Sequence, residues 1–322
     1  MGQHFLLTAA ARTLSLASVA RMSDEEARST FQRIRWADNG GEPYCPKCGS
    51  TEHLYLPNQL RWKCRGCRHQ YSVTSSTIFA NRKLPVRDYL LAIAIFVNGA
   101  KGYAALQLSR DLDCQYKTAF VLSHKLREAI EAEQRGVVLA GTVEVDGAYF
   151  GGHVRQENKA EDRADRRLAE EQTGKRQVVV VVRQRGGRTI TGVFKRESEG
   201  VAVVRARVAM PAIVHADEAR GWDTLHAHYD MRRVNHSVEF MSQQGACTNQ
   251  AESFFSRLRR SEFGIHHRIS GRYLHRYAAE MGWREDHRRV SNGEQWGVVA
   301  ALALHHPISR EWCGYWQRGN AR

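Results

Sequence analysis

The sequence lacks the features that would place the protein in a membrane or direct it across one. No apolar run is long enough to span a bilayer. The apolar segment 5–20 resembles a signal peptide, but it has no basic n-region and Arg12 interrupts it. No internal repeat is present, which excludes a solenoid or a propeller. These absences predict a soluble, cytoplasmic protein without a membrane partner.

The chain carries a large surplus of positive charge. Its 48 Lys and Arg residues outnumber 34 Asp and Glu residues, a net charge of +14 over 322 residues. A surplus of this size indicates a polyanionic partner, and nucleic acid is the usual one. An anionic membrane surface is the competing interpretation, but no basic amphipathic anchor stands out. The length is typical of two or three domains.

Cysteine usage indicates a metal site in a reducing compartment. Seven cysteines cannot all pair, and four of them form two CxxC pairs separated by fifteen residues: Cys45, Cys48, Cys64 and Cys67. Two such turns predict a tetrahedral, structural zinc site. The remaining three have no spaced partner, and we expect them to be small thiols, buried or partly buried: Cys114, Cys247 and Cys313.

Basic residues surround the predicted zinc site. Five of them are candidate DNA contacts: Lys47, Arg61, Lys63, Arg65 and Arg68. His69, Trp62 and Tyr71 lie among them, and interleaved aromatic and basic groups suit nucleic-acid binding. A solvated charged face is the alternative for any single residue.

Apolar spacing from Val86 to Glu133 predicts three helices, the last two joined by a short turn. In a helix-turn-helix, the second helix enters the major groove with its N-terminal residues leading. Here those residues are Gln115, Tyr116, Lys117 and Thr118, with His124, Lys125 and Arg127 further along. Helical hairpins that do not contact DNA are common, so this alternative stays open.

From Gly141 the period changes to strand-like, and two helices follow the strands, which predicts an α/β domain. Strands are expected at 143–145, 177–183, 189–195, 212–216 and 233–240, with helices at 250–262 and 271–285. Five consecutive valines predict a strand buried on both faces. The turn 185–188 predicts a hairpin, and 155–176 is expected to be a charged insertion.

Three carboxylates occupy positions that suit divalent metal binding. Asp146 and Asp217 end strand-like runs, and Glu252 lies on a basic amphipathic helix. Hard oxygen ligands at neighbouring strand ends can hold two metal ions for phosphodiester chemistry. For single residues the alternatives are an Asp-Gly turn at Asp146 and an exposed helix acid at Glu252. Glu144 and Glu218, which flank the two aspartates, are competing ligands.

Basic residues on the same helix complete the predicted site. Arg259 follows Glu252 by seven residues on the same helix face, where it could hold a phosphate near the metals. Arg257 and Arg260 are expected to contact the DNA backbone.

These motifs, in this order, resemble the ISXO-type insertion-sequence transposases of bacteria. The matching segments are the CxxC pairs, Val143–Gly152, His215–Glu218, Asn249–Arg260, Gly264–Ser270 and Tyr273–Glu280. The resemblance implies a ribonuclease-H-like mixed sheet with flanking helices, preceded by a zinc ribbon and a helix-turn-helix segment. It implies a DDE triad of Asp146, Asp217 and Glu252 that uses magnesium, with manganese as a substitute. The family often has lysine where this chain has Arg259.

The resemblance also implies a reaction, in which the 3′ ends of the element are cleaved and the exposed 3′-hydroxyls are joined to target DNA. The ribbon and helix-turn-helix would bind terminal inverted repeats, and a homodimer or higher oligomer would assemble on DNA in the bacterial nucleoid. Two rival functions stay open: a DNA-binding regulator or inactive relic, and a metal-dependent nuclease without strand transfer. The expected divisions are an extension at 1–38, a zinc ribbon at 39–76, helices at 77–136, a catalytic domain at 137–290 and a tail at 291–322.

Overall fold

The computed structural model describes residues 4–151, 159, 161, 174–234 and 247–318. The helices in this part of the chain are α1 Leu16–Ala20, α2 Asp24–Arg35, α3 Val86–Asn98, α4 Ala105–Asp111, α5 Tyr116–Glu133, α6 Val201–Arg207, α7 Asn249–Ser261, α8 Leu274–Asp286, α9 Asn292–His305 and α10 Tyr315–Arg318. The strands are β1 His53–Leu56, β2 Arg61–Cys64, β3 Gln70–Tyr71, β4 Leu139–Phe150, β5 Gln177–Gln184, β6 Thr189–Phe194, β7 Val208–Asp217 and β8 Asp230–Val234. The chain forms two compact units, one of residues 1–133 with 287–322 and the other of residues 134–286.

The first unit contains a small antiparallel sheet in the order β1-β2-β3 that carries the CxxC pairs. An aromatic cluster forms its core. Trp36 lies 5.5 Å from Trp62, and Tyr71 stacks on Trp62 at 5.7 Å. All three rings are buried. The interpretation of Trp62 and Tyr71 as surface aromatics for nucleic acid is therefore wrong, because a sheet this small needs these rings to fill its interior.

The helices α3, α4 and α5 of the first unit form where apolar spacing predicts them, with residues 112–115 as the turn between the last two. A fourth helix, α9, packs against α3 and α5. Its N-terminus has a capping box of Ser291 and Glu294, and Trp296 Nε1 donates to the carbonyl of Leu90 at 2.9 Å. The segment expected to be a tail is thus a packed part of the helical unit.

The second unit is built on a five-stranded sheet in the order β6-β5-β4-β7-β8. Strands β6, β5 and β4 are antiparallel neighbours, whereas β7 and β8 run parallel to β4. This mixed order is the ribonuclease-H-like arrangement. The hairpin between β5 and β6 turns at 185–188, where Gly186 adopts a φ of +70°, a backbone conformation that suits glycine.

Both faces of this sheet are covered, which explains the valine run. Val178, Val180 and Val182 pack in one core with α6 and residues 220–227, while Val179 and Val181 pack in the other under α7 and α8. The strand is buried on both faces as predicted. Helix α6, which connects this part of the sheet to β7, has only seven residues.

Two expectations differ from the structure in detail. The last strand is β8 at Asp230–Val234, earlier than the predicted 233–240, and residues 235–246 lie outside the described part of the chain. Most of the charged segment 155–176 also lies outside it. Cys114 is partly buried and Cys247 is buried, but Cys313 is exposed, so its assignment to a buried site was wrong. No helix in the described ranges has the length and apolarity required to cross a bilayer.

Candidate functional site

The four CxxC cysteines converge on one point. Their sulfur atoms all lie within 4.8 Å of one another, with Cys45 and Cys67 Sγ atoms 3.6 Å apart and Cys48 and Cys64 Sγ atoms 3.6 Å apart. Zn–S bonds of about 2.3 Å in a tetrahedron place sulfurs roughly 3.8 Å apart, so the cage fits a zinc ion. The backbone N–H of Cys67 donates to Cys64 Sγ and lowers the pKa of that thiol to about 6. Zinc is the structural metal of this module.

The basic residues around the ribbon lie mostly on its surface. Lys47, Arg61, Arg65 and Arg68 are exposed and Lys63 is partly exposed. His69 instead stacks on Tyr71, with ring centroids 6.4 Å apart. The ribbon thus presents a cationic surface over an aromatic core.

The N-terminal end of α5 also has an exposed basic surface, but its later turns are buried. Gln115 and Lys117 are exposed, whereas Lys125 is partly buried and desolvation lowers its pKa. His124 stacks on Trp312 at 4.4 Å, and Arg127 lies over the Phe96 ring. Both are fully buried. The assignment of His124 and Arg127 to a DNA-facing surface is therefore wrong, because this face of α5 packs in the core.

The two aspartates lie side by side on adjacent strands. Val145 of β4 pairs with Ala216 of β7 in parallel register, which places the next residues, Asp146 and Asp217, next to each other. Val145 and Ala216 belong to one core, so the aspartates point to the opposite face, the face covered by α7. Asp217 ends β7 as predicted, but β4 continues beyond Asp146 to Phe150 because those residues pair with β5.

The charge around Asp146 is strongly one-sided. Burial, together with the negative charges of Asp217, Glu197 and Glu252, raises the pKa of Asp146 to about 7. A hydrogen bond from the backbone N–H of Gly147, at 2.7 Å from Asp146 Oδ1, acts in the opposite direction. All three predicted carboxylates therefore interact electrostatically, with Asp146 and Asp217 partly buried and Glu252 exposed on its helix. Glu197, which sequence reasoning missed, also interacts with Asp146 in this way.

Glu252 reaches this environment because Glu144 holds the N-terminus of α7. The Glu144 carboxylate accepts hydrogen bonds from the backbone N–H groups of Gln250 at 2.7 Å and Ala251 at 3.2 Å. Unpaired N–H groups and the helix dipole make a helix N-terminus attractive to a carboxylate. Glu144 is buried, and Glu252 is the next residue of the helix after Ala251. Glu144 thus positions Glu252. From the sequence, Glu144 was considered only as a competing metal ligand, and this positioning contact was not predicted.

Arg185 connects the same carboxylate to the loop before α7. Its Nε donates to Glu144 Oε1 at 2.8 Å, and its Nη2 donates to the carbonyl oxygen of Cys247 at 3.1 Å. His215 Nδ1 accepts from the backbone N–H of Cys247 at 3.1 Å and lies 3.0 Å from Arg185 Nη2. Burial and then the Arg185 charge lower the pKa of His215, consistent with a neutral ring. His215 is a buried, packed residue.

The three arginines of α7 have different surroundings. Arg257 ion-pairs with the buried Glu285 at 2.6 Å, and Arg183 pairs with the same carboxylate at 3.0 Å. Arg260 is exposed. Arg259 is exposed, and its guanidinium lies 6.0 Å from the Phe150 ring. It lines a cavity of about 390 Å³ with His267 and Arg268, and such a basic pocket suits a phosphate.

The carboxylate group is suited to divalent cations by its chemistry. It offers hard oxygen ligands, which magnesium prefers, and its negative charges add to burial in raising the pKa of Asp146. Among the described residues, only the four cysteines bring three or more ligand atoms within 4.8 Å of one another. The carboxylates are therefore close enough to interact electrostatically without forming so tight a cluster, and a bound cation would compensate their mutual repulsion.

Both modules match known protein families. Residues 138–286 match the ISXO2-like transposase domain, and residues 22–70 match the transposase zinc-ribbon domain. Among solved structures, similarity is found to the Mos1 strand transfer complex, at 10% identity over 63% of this chain and 78% of that chain with a TM-score of 0.22. It is also found to the Mos1 transposase paired-end complex with left transposon end, at 12% identity over 67% and 79% with a TM-score of 0.24. No curated protein sequence matches this chain.

Proposed function

This chain is a member of the ISXO2-like transposase family, and we propose that it cleaves the 3′ ends of its element and joins them to target DNA. The observation that carries the proposal is the convergence of Asp146, Asp217 and Glu252 in one negative environment on a ribonuclease-H-like sheet. A DNA-binding regulator would have no use for three acids brought together from two strands and a helix.

In this proposal the three carboxylates hold magnesium, or manganese in its place. When bound, the ions activate the attacking oxygen and stabilise the leaving oxygen of the phosphodiester. Asp146 and Asp217 supply ligands from the rigid centre of the sheet. Glu252 supplies one from α7, whose start is fixed by Glu144. Rigid placement matters because phosphoryl transfer depends mainly on positioning and electrostatic stabilisation.

Arg259 would bind the DNA strand beyond the reacting phosphate. Seven residues of α-helix correspond to about 10.5 Å of axial rise from Glu252, so a different phosphate of the same strand could reach Arg259. Arg268 in the same cavity adds positive charge, and Glu262 also lines it. Arginine provides a fork of donors that matches phosphate oxygens.

The first unit would recognise the element ends. The exposed cations of the ribbon and the exposed N-terminal end of α5 provide two basic surfaces for terminal inverted repeats. Arg260 remains a proposed backbone contact, and an oligomer would be needed to bring two ends together. Arg257 already neutralises Glu285, so its contribution to DNA binding would be smaller than that of Arg260.

The decisive experiment supplies pre-cleaved element ends, target DNA and Mg²⁺ to the wild type and to Asp146→Asn, Asp217→Asn and Glu252→Gln. We expect joined product from the wild type alone, and all four proteins should bind the ends equally in the absence of metal. Joined product from Asp217→Asn would contradict the metal role.

Two other outcomes would establish the rival functions. Cleavage of uncut ends without joining would identify a nuclease that lacks strand transfer. End binding with neither cleavage nor joining in the wild type would identify a DNA-binding regulator or an inactive relic.

A further inference from the structure

A fourth acid approaches the catalytic aspartates from the end of β6. Glu197 begins the 3₁₀ turn Glu197–Gly200, which connects β6 to α6. Its carboxylate packs against the backbone of Gly147, the residue that follows Asp146. A Cβ atom added to Gly147 would lie 3.0 Å from both Glu197 Cγ and Cδ and would collide with Oε1.

This contact gives Gly147 a role that differs from the Asp-Gly turn considered from the sequence. Gly147 lies within β4 and pairs with Val180 of β5, so the chain does not turn there. Its backbone does not have a positive φ. The missing side chain instead leaves the space that the Glu197 carboxylate fills.

The Glu197 carboxylate has little compensation from the protein. Within the described residues it accepts no hydrogen bond and forms no ion pair within 4 Å. The positive charge of Arg233 acts against that of Asp217 on Glu197. Arg233 itself pairs with Asp223 at 3.4 Å and donates to the carbonyl of Ala219. Burial, together with the Asp217 charge, raises the pKa of Glu197 to about 7.

We propose that Glu197 is a fourth carboxylate ligand of the magnesium site, acting together with Asp146, Asp217 and Glu252. This inference rests on the proposed function. Magnesium takes six oxygen ligands, so two ions held by three side chains would depend heavily on water and DNA oxygens. A fourth carboxylate adds a ligand and a negative charge on the Gly147 side of Asp146. The competing role is structural, in which Glu197 starts the 3₁₀ turn and balances Arg233.

The test measures metal binding directly on the full-length protein. Mg²⁺ titration calorimetry and thermal unfolding with and without Mg²⁺ would compare the wild type, Glu197→Gln and Asp217→Asn. The matched control is Glu199→Gln, which neutralises an exposed acid in the same turn. We expect Glu197→Gln to bind Mg²⁺ at least about 10-fold more weakly, and Glu199→Gln to bind as the wild type does.

Thermal unfolding separates the ligand role from the structural role. Removing a like charge from a repulsive cluster should leave the metal-free Tm of Glu197→Gln equal to or above that of the wild type. The rise in Tm that Mg²⁺ produces should shrink. A lower metal-free Tm with unchanged Mg²⁺ affinity would overturn the inference in favour of a structural role.

A second variant, Gly147→Ala, retains the Glu197 carboxylate but changes its position. Gly147→Ala should displace the Glu197 side chain and weaken Mg²⁺ binding, although every carboxylate is retained; wild-type affinity in this variant would also count against the inference.

The Asp217→Asn result separates the two proposals. If Asp217→Asn binds Mg²⁺ more weakly and Glu197→Gln binds it as the wild type does, Glu197 is not a ligand, and the proposed function is unaffected. Unchanged binding in Asp217→Asn would overturn both.

Discussion

The carboxylate of Glu144 pairs with Arg185 at 2.8 Å inside the second unit, where 1% of the Glu144 side chain is exposed. The same carboxylate caps α7 through the N–H groups of Gln250 and Ala251. One buried acid therefore connects the centre of the sheet, the β5–β6 hairpin and the helix that carries Glu252.

Replacing Glu144 should destabilise the second unit and disable the site. Glu144→Ala removes a buried charge-assisted hydrogen bond to Arg185, which is 31% exposed, and removes the helix cap, a combined cost of about 2–4 kcal/mol. Urea unfolding would measure that loss, and strand transfer should fall with it because Glu252 is no longer positioned. Asp230→Ala is the control, since the Arg232–Asp230 pair is exposed and worth at most about 1 kcal/mol. Equal costs for the two variants would show that the Glu144 contacts contribute little.

Removal of zinc should unfold the ribbon. Cys64→Ser or a strong chelator would release the turns that hold the sheet together, because a segment this short depends on metal binding for its folding energy. Trp36 and Trp62 would then become exposed, which a red shift in tryptophan fluorescence would report. Binding of element ends should weaken in parallel. Cys313→Ser, which changes an exposed cysteine outside the cage, should have neither effect.

Stability of the metal-free protein should respond to pH through Asp146. Its folded-state pKa is about 7, above the ordinary value of 3.8. As pH rises between these values, the unfolded chain releases a proton that the folded chain retains, so folding stability falls over this window and is constant above it. Asp146→Asn does not titrate, and its stability relative to the wild type should increase from pH 5 to pH 8. Urea unfolding at several pH values would measure the difference, and a difference independent of pH would exclude the shift.

Salt dependence should distinguish surface cations from structural ones. Arg65 is exposed on the ribbon, so Arg65→Ala should reduce the slope of log K against log salt for end binding by about 0.9 if one phosphate contact is lost. Arg257→Ala should change that slope less and should lower the stability, because it leaves the buried Glu285 with one fewer partner. The opposite pattern would assign Arg257 to DNA and Arg65 to the fold.

Features that depend on residue spacing along a short segment were predictable from the sequence alone. Two CxxC turns define a four-sulfur cage because each turn aims two thiolates at one point, and the structure brings those sulfurs within 4.8 Å. The valine run predicted a strand buried on both faces because strand side chains alternate between faces. Asp146 and Asp217 stay predicted metal ligands, chosen because an acid at the end of an apolar run has no packing role.

Contacts between side chains that lie far apart in the sequence became evident only in the folded structure. Glu144 meets Gln250, 106 residues away, and Glu197 fills the space beside Gly147, so neither pairing has a local sequence signal. Trp62, His124 and Arg127 are residue types common on nucleic-acid-binding surfaces, but here they are buried by segments distant in the sequence. Spacing along the chain determines the secondary structure and the turns that carry the zinc ligands. Burial and the interactions between charged side chains arise only when separate elements pack together and exclude water between them.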